Sequence, residues 1–448
     1  MSKSLNKNVR KTALDCLEQI EKNQAYSNLL LNNTIKKNEL PAKDIGLLTE
    51  LVYGTIQRKL TLDYLLKPFI KGKVESWVRN LLRLTVYQLY YLDRIPAHAA
   101  IYEAVEIAKK QGHLGIAKMV NGILRSMQRG NLPTFEQIEN PIERISIETS
   151  TPLWLVERWV EQFGLEDTRK ICEVNLTAPN QTARVNLTRT TREQVIKSLQ
   201  EEGFSVEKSE FLPEAIHSLK GNLALSHCFK EGLITIQDES SMLVANVLQP
   251  KTNDKILDSC AAPGGKTTHI AEKLGNTGQV IALDLHEHKV KLISQTASRL
   301  QLTNVTAKVM DARNVLEHFL PDTFDRILVD APCSGLGVLR RKPDMKYTKK
   351  EEDIFSLQKI QKELLEKIAP LLKKGGTLVY STCTMDKEEN REIIQQFLKE
   401  HGNYESNPEF IACLPESLVP YASEFDIQVM PHYFNSDGFY IAALRKKA

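Results

Sequence analysis

The chain has 448 residues, 42% hydrophobic and 26% charged, values ordinary for globular proteins, and at roughly 150 residues per domain that length suggests about three domains. Gly 21 and Pro 18 together make under a tenth of the chain, which excludes collagen-like and broadly disordered classes. The net charge of +3 conceals an asymmetry: residues 1–130 hold 21 Lys+Arg against 11 Asp+Glu, leaving 38 against 45 for the remainder.

That basic end suits a phosphate backbone through counterion release, although a lysine-rich solvated helix surface has the same composition. No run of ~18 apolar residues occurs, and the N-terminus MSKSLNKNVR is polar and basic. We therefore expect a cytoplasmic protein with no membrane association. The cysteines Cys16, Cys172, Cys228, Cys260, Cys333, Cys383 and Cys413 are odd in number, and no two have metal-knuckle spacing. Neither a disulfide framework nor a metal site is expected.

In chain order, residues 1–130 carry helical periodicity. Ile101, Ala104, Val105 and Ala108 form one apolar stripe, and Val9 to Ile20, Asp44 to Ile56 and Trp77 to Leu92 repeat the spacing. Pro41, Pro68 and Pro96 fall at expected helix starts. Residues 131–160 read as a proline-marked connector with a short helix. Residues 161–235 read as a small α+β module of RNA-recognition type: ARVNL is a strand, TREQVIKSLQEEG a helix and FSVEKS a second strand.

Residues 236–448 alternate strand and helix. Strand-like runs end at Asp258, Asp284, Asp311 and Asp330, and TLVYST and FYIAAL follow. This is the pattern of a Rossmann-like α/β domain, whose mostly parallel sheet binds ligands at the carboxyl ends of its strands.

The loop Cys260-Ala261-Ala262-Pro263-Gly264-Gly265-Lys266 joins a strand to a helix through a glycine turn, where backbone N–H groups can approach a ligand. It lacks the first glycine of a phosphate-binding P-loop, because Cys260 stands there, and it lacks GxGxxG. A nucleoside-type ligand remains. Asp284, at the next strand tip, is placed for ribose hydroxyls, and Asp311 for an adenine amino group. Each Asp alone reads rather as a helix N-cap, but three in register behind one glycine turn favour a ligand. DAPCSG after the fourth strand and STCT after the fifth would bring Cys333 and Cys383 to one rim. A buried small hydrophobe is the ordinary role of cysteine, but thiols in polar turns beside a ligand loop suit nucleophilic chemistry.

CAAPGGKT, DAPCSG and STCT, in that order, resemble the RNA cytosine-5 methyltransferase family of NOL/NSUN or Fmu/Sun type over roughly residues 236–448. RIPAHAAIYEAVEIAKK and MVNGILR resemble the NusB-like RNA-binding helical domain. The resemblance implies S-adenosylmethionine (SAM) as cofactor, cytosine in 16S rRNA or a small-subunit precursor as target, and a monomer. It also implies that Cys260 through Lys266, Asp284, Asp311 and Asp330 hold the cofactor, with Cys383 as nucleophile and Cys333 releasing product.

Carbon 5 of cytosine becomes enamine-like once a thiolate adds to carbon 6, and protonation at N3 stabilises the adduct. Asp330 is the expected N3 contact. The base must be looped or flipped out. Arg340, Arg341 and Lys342 are expected to hold flanking phosphates, with a solvated loop as the alternative. Two further functions stay open: a tRNA target for the same chemistry, and a non-catalytic antitermination or assembly factor that binds RNA.

Overall fold

The computed structural model describes residues 8–23, 27–38 and 40–448, and they form two compact units. The first unit contains the chain through Ala178 together with Leu339–Lys349; the second contains Pro179–Val338 and Lys350–Ala448. The basic residues Lys3 and Lys7 lie outside the described residues.

The described part of the first unit is helical throughout: Val9–Asn23, Ser27–Asn38, Ala42–Gln57, Lys59–Leu66, Ser76–Tyr91, Ala97–Gln111, Leu114–Arg129, Pro141–Glu148 and Leu153–Val174. The apolar stripe read from the sequence faces the core, with Ile101, Ala104 and Ala108 buried and Val105 packed against them. Pro41 and Pro96 directly precede helices. Pro68 does the reverse. It lies in the 3-10 turn Lys67–Phe69 that closes Lys59–Leu66, because a proline cannot supply the N–H that would continue the helix.

The unit does not stop at residue 130. The expected connector is largely helix, with Asn140 capping Pro141–Glu148 by accepting from the N–H groups of Ile142 and Glu143. The final helix runs to Val174, inside the range read as the middle module.

Leu339–Lys349 completes this unit. Lys346 is buried, and its ammonium donates to the Gln57 carbonyl at 2.8 Å. The Tyr347 hydroxyl bonds Ser150, and Asp344 accepts from the Ser27 hydroxyl. Arg340 is also buried, donating to the Thr177 hydroxyl and the Ala178 carbonyl, both at 3.1 Å. The expectation that Arg340 faces RNA phosphates is therefore corrected: its guanidinium anchors this segment. Arg341 and Lys342 are half-buried.

The second unit carries two sheets. The smaller has strands β1 (Gln181–Val185), β2 (Ser205–Lys208), β3 (Ala215–Lys220) and β4 (Ile234–Ile236) in antiparallel order β2-β3-β1-β4. Helix Arg192–Glu201 follows β1, started by a capping box between Thr191 and Gln194, and the short helix His227–Lys230 precedes β4. This β-α-β-β-α-β connectivity is ferredoxin-like.

The larger sheet has β5 (Lys255–Asp258), β6 (Gln279–Asp284), β7 (Val305–Val309), β8 (Phe324–Asp330), β9 (Leu372–Thr382), β10 (Tyr404–Ser406), β11 (Asp426–Val429) and β12 (Phe439–Lys446). Its parallel part runs β7-β6-β5-β8-β9. β12 adds antiparallel to β9 and carries β10 and β11. Strand order reverses between β5 and β8, so the loops after these strands flank the switch point at which open α/β sheets bind ligands.

Candidate active site

β5 ends at Asp258, which is fully buried. Its Oδ2 accepts from the Thr267 hydroxyl at 2.6 Å, while Oδ1 has no protein partner. Burial, reinforced by Asp330, pushes the carboxyl up to about 7. The following turn is fixed by backbone bonds from Ala261 N–H to Leu283 O and from Gly264 N–H to Ala261 O, both 2.8 Å. Gly264 has φ 102°, and a Cβ there would meet the Ile293 Cα at 3.2 Å, so glycine alone allows helix Gly265–Lys273 to begin against its neighbour. The Cys260 thiol is pushed up to about 12 by burial, which leaves it a packing group rather than a nucleophile.

Lys266, on the first turn of that helix, pairs with Asp330 at the end of β8, Nζ to Oδ2 2.8 Å. Asp330 Oδ1 accepts from the Ser381 hydroxyl of β9 at 2.8 Å. Burial opposes the charge on Lys266, but Asp330 and then the Cys383 sulfur outweigh it and raise its pKa. A cation thus stands within electrostatic range of Cys383.

The two cysteines do share one rim. Cys333 Sγ and Cys383 Sγ are 3.4 Å apart, although 50 residues separate them. The hydrogen bond to Cys383, then burial, raises the Cys333 thiol well above its ordinary value. Gly337 lets the two loops meet: its N–H donates to the Cys383 carbonyl at 3.0 Å, and a Cβ there would collide with the Gly438 carbonyl oxygen at 1.9 Å.

Asp284 ends β6 half-buried, accepting from the His286 N–H at 3.1 Å. Asp311 differs from its expected position, since β7 stops at Val309. Asp311 caps the 3-10 helix Ala312–Glu317, and Arg313 grips its carboxylate at 2.6 and 3.0 Å, lowering its pKa. The N-cap reading holds for this residue, and Arg313 occupies both of its carboxylate oxygens.

Two sets of residues escaped sequence reasoning. Arg184 of β1 is buried and bonds both carboxylate oxygens of Glu272 at 2.9 Å, the Gly265 carbonyl and the Thr268 hydroxyl, tying the small sheet to the helix after the glycine turn. Glu389 and Asn390 support the cysteine loops. They follow STCT in an acidic run, DKEEN, that reads as solvated turn and gives no hint of burial.

Comparison with known proteins places the domains in known families. A family model described as 16S rRNA methyltransferase RsmB/F matches residues 245–445, a NusB family model 7–129, and a model of the Methyltr_RsmF/B-like ferredoxin-like domain 151–223. The chain is 54% identical over 441 residues to a probable ribosomal RNA small subunit methyltransferase B of Bacillus subtilis (strain 168), covering 98% of this chain and 99% of that protein. A methyltransferase homolog from Pyrococcus horikoshii matches with TM-score 0.58 at 28% identity, over 69% of this chain and 100% of its own. NSun6 from the same organism, solved with SFG, matches with TM-score 0.57 at 25% identity, over 65% and 97%. With family models matching both the helical and the α/β parts and a full-length relative at 54% identity, the chain belongs to the RsmB/F family of 16S rRNA methyltransferases.

Proposed function

We propose that the protein transfers the methyl group of SAM to carbon 5 of a cytosine in 16S rRNA through a transient covalent bond from Cys383. The observation that carries this is the pair of thiols 3.4 Å apart on adjacent strand ends, beside the Lys266–Asp330 pair. The substrate is supported by the names of the relatives, and action in the cytoplasm follows from an rRNA target.

The residues present suit SAM. Buried Asp258 Oδ1 lacks a donor, as an acceptor for a ligand ammonium would, and Asp284 and Asp311 offer carboxylate oxygens for ribose and adenine donors. A SAM analogue, SFG, accompanies the related NSun6 fold. The cofactor supplies a sulfonium-bound methyl open to nucleophilic attack.

The Cys383 thiolate adds to carbon 6 of a flipped base, and the ring electrons pass to carbon 5. Asp330, oriented by Lys266 and Ser381, holds the proton at N3. Methylated carbon 5 then loses its proton, the electrons re-form the carbon 5–carbon 6 double bond, and Cys383 leaves. Cys333, 3.4 Å from the Cys383 sulfur, stands beside the adduct and assists product release as base or as base-orienting group. Arg341 and Lys342 are the remaining phosphate candidates.

Labelled SAM offered to the enzyme with 16S rRNA, small subunits and tRNA tests the reading. Label on carbon 5 of an rRNA cytosine is expected; transfer to tRNA instead would make it a tRNA enzyme. Cys383→Ala should abolish transfer, and Cys333→Ala should accumulate a protein–RNA adduct that survives denaturing gels. Turnover retained by Cys383→Ala would overturn the covalent route.

A further inference from the structure

The residues flanking both cysteines converge on one neighbouring pair. On the Cys333 side, Ser334 donates its N–H to Glu389 Oε1 at 2.8 Å and its hydroxyl to Oε2, and Gln361 donates both to the Pro332 carbonyl (2.8 Å) and to Glu389 (2.9 Å). On the Cys383 side, the Thr382 hydroxyl donates to Asn390 Oδ1 at 2.5 Å, and Asn390 Nδ2 donates to the Thr384 carbonyl at 3.1 Å. A direct link between the Ser334 and Thr384 hydroxyls, 2.9 Å, closes the frame.

We propose that Glu389, with Asn390 beside it, is a positioning residue that sets the spacing of Cys333 and Cys383. Glu389 has no exposed surface, and burying a carboxylate is costly unless its hydrogen bonds are fixed and specific. Those bonds go to the residue that follows one cysteine and, through Ser334, to the residue that follows the other. Glu389 acts by holding the loops. Sub-ångström placement of reacting groups is what such supporting shells supply.

The proposal rests on reading the thiols as a working pair, so its test uses neither RNA nor SAM. Diamide oxidises two adjacent thiols to a disulfide: one S–S bond forms, two S–H bonds break, and the reagent takes up the two electrons and two protons as its hydrazine. In the full-length protein, the wild type should form the Cys333–Cys383 disulfide readily. Glu389→Ala should slow it at least about tenfold, and Thr384→Val, which removes the hydroxyl link to Ser334 and a 3.5 Å bond from the Asp386 N–H, about threefold. Glu389→Gln should restore most of the rate, because an amide still bonds Ser334. In turnover assays Glu389→Ala should lower kcat with KM for SAM unchanged. Wild-type disulfide rates in both Glu389→Ala and Thr384→Val would overturn the proposal. Failure of cytosine methylation in the wild type would refute the mechanism above and leave this result standing.

Discussion

The two units withdraw ionisable groups from solvent, fully or in part, to different ends. In the first, Lys346, Arg340 and Arg83 are buried, and each is answered by a carbonyl, a hydroxyl or a carboxylate of its own unit. In the second, Asp258, Lys266, Asp330 and the two cysteines stand together at the carboxyl ends of β5, β8 and β9, and Asp258 keeps an unanswered oxygen. Burial of charge is therefore not what marks a site. Convergence at the strand-order reversal, with acceptor capacity left over at Asp258, is what separates the proposed reacting groups from the structural ones.

The sharpest way to break this contrast is at Asp330. Asp330→Asn should lower turnover by about 10²- to 10⁴-fold, the usual range for a group that holds a proton in the transition state, with little change in melting temperature. A large loss of stability without loss of turnover would place Asp330 with the structural groups. Arg184→Met should do the opposite. Removing one partner of a buried, bidentate ion pair leaves Glu272 uncompensated and should cost about 3–5 kcal/mol, read by denaturant unfolding, before any effect on chemistry.

Lys346 sharpens the comparison through pH. Burial brings its pKa down to about 7 from an ordinary 10.5, so the folded state carries an unfavourable buried charge below pH 7. Between about 7 and 10.5 the unfolded chain binds more protons than the folded one, so stability rises with pH across that window. Lys346→Met should be more stable than the wild type at pH 6, relative to their difference at pH 10, in paired thermal melts. A difference that does not vary with pH would show that Lys346 stays charged. The smallest effect is expected at Arg313→Ala, which frees the Asp311 carboxylate and should change SAM affinity by only a few-fold in calorimetry, since Arg313 is exposed.

Much of the larger sheet was legible in the sequence because its signals are local. KILD, VIALD and RILVD are apolar runs closed by an acid, and each ends a strand as expected. The glycine turn and the meeting of Cys333 with Cys383 followed from strand adjacency alone. Asp311 was misplaced by two residues because AKVMD continues an apolar pattern past the last paired residue, and capping won over strand extension. Arg340 and Glu389 were unreadable for one physical reason: a charged residue declares itself solvated until distant partners are known, and theirs lie 163 and 55 residues away. The short strands β10 and β11 left no periodicity to read.

The excursion of Leu339–Lys349 has a consequence for how such a protein can be inherited or engineered. The helical unit is not a bead that a single cut after Ala178 would release, because a piece of its interior is encoded far downstream, between β8 and the helix Glu351–Ile368. Cutting there would strip Lys346 and Tyr347 from one fragment and leave the other with a surplus loop of apolar and cationic side chains. Exchange of this domain between relatives must therefore carry two stretches of the gene at once.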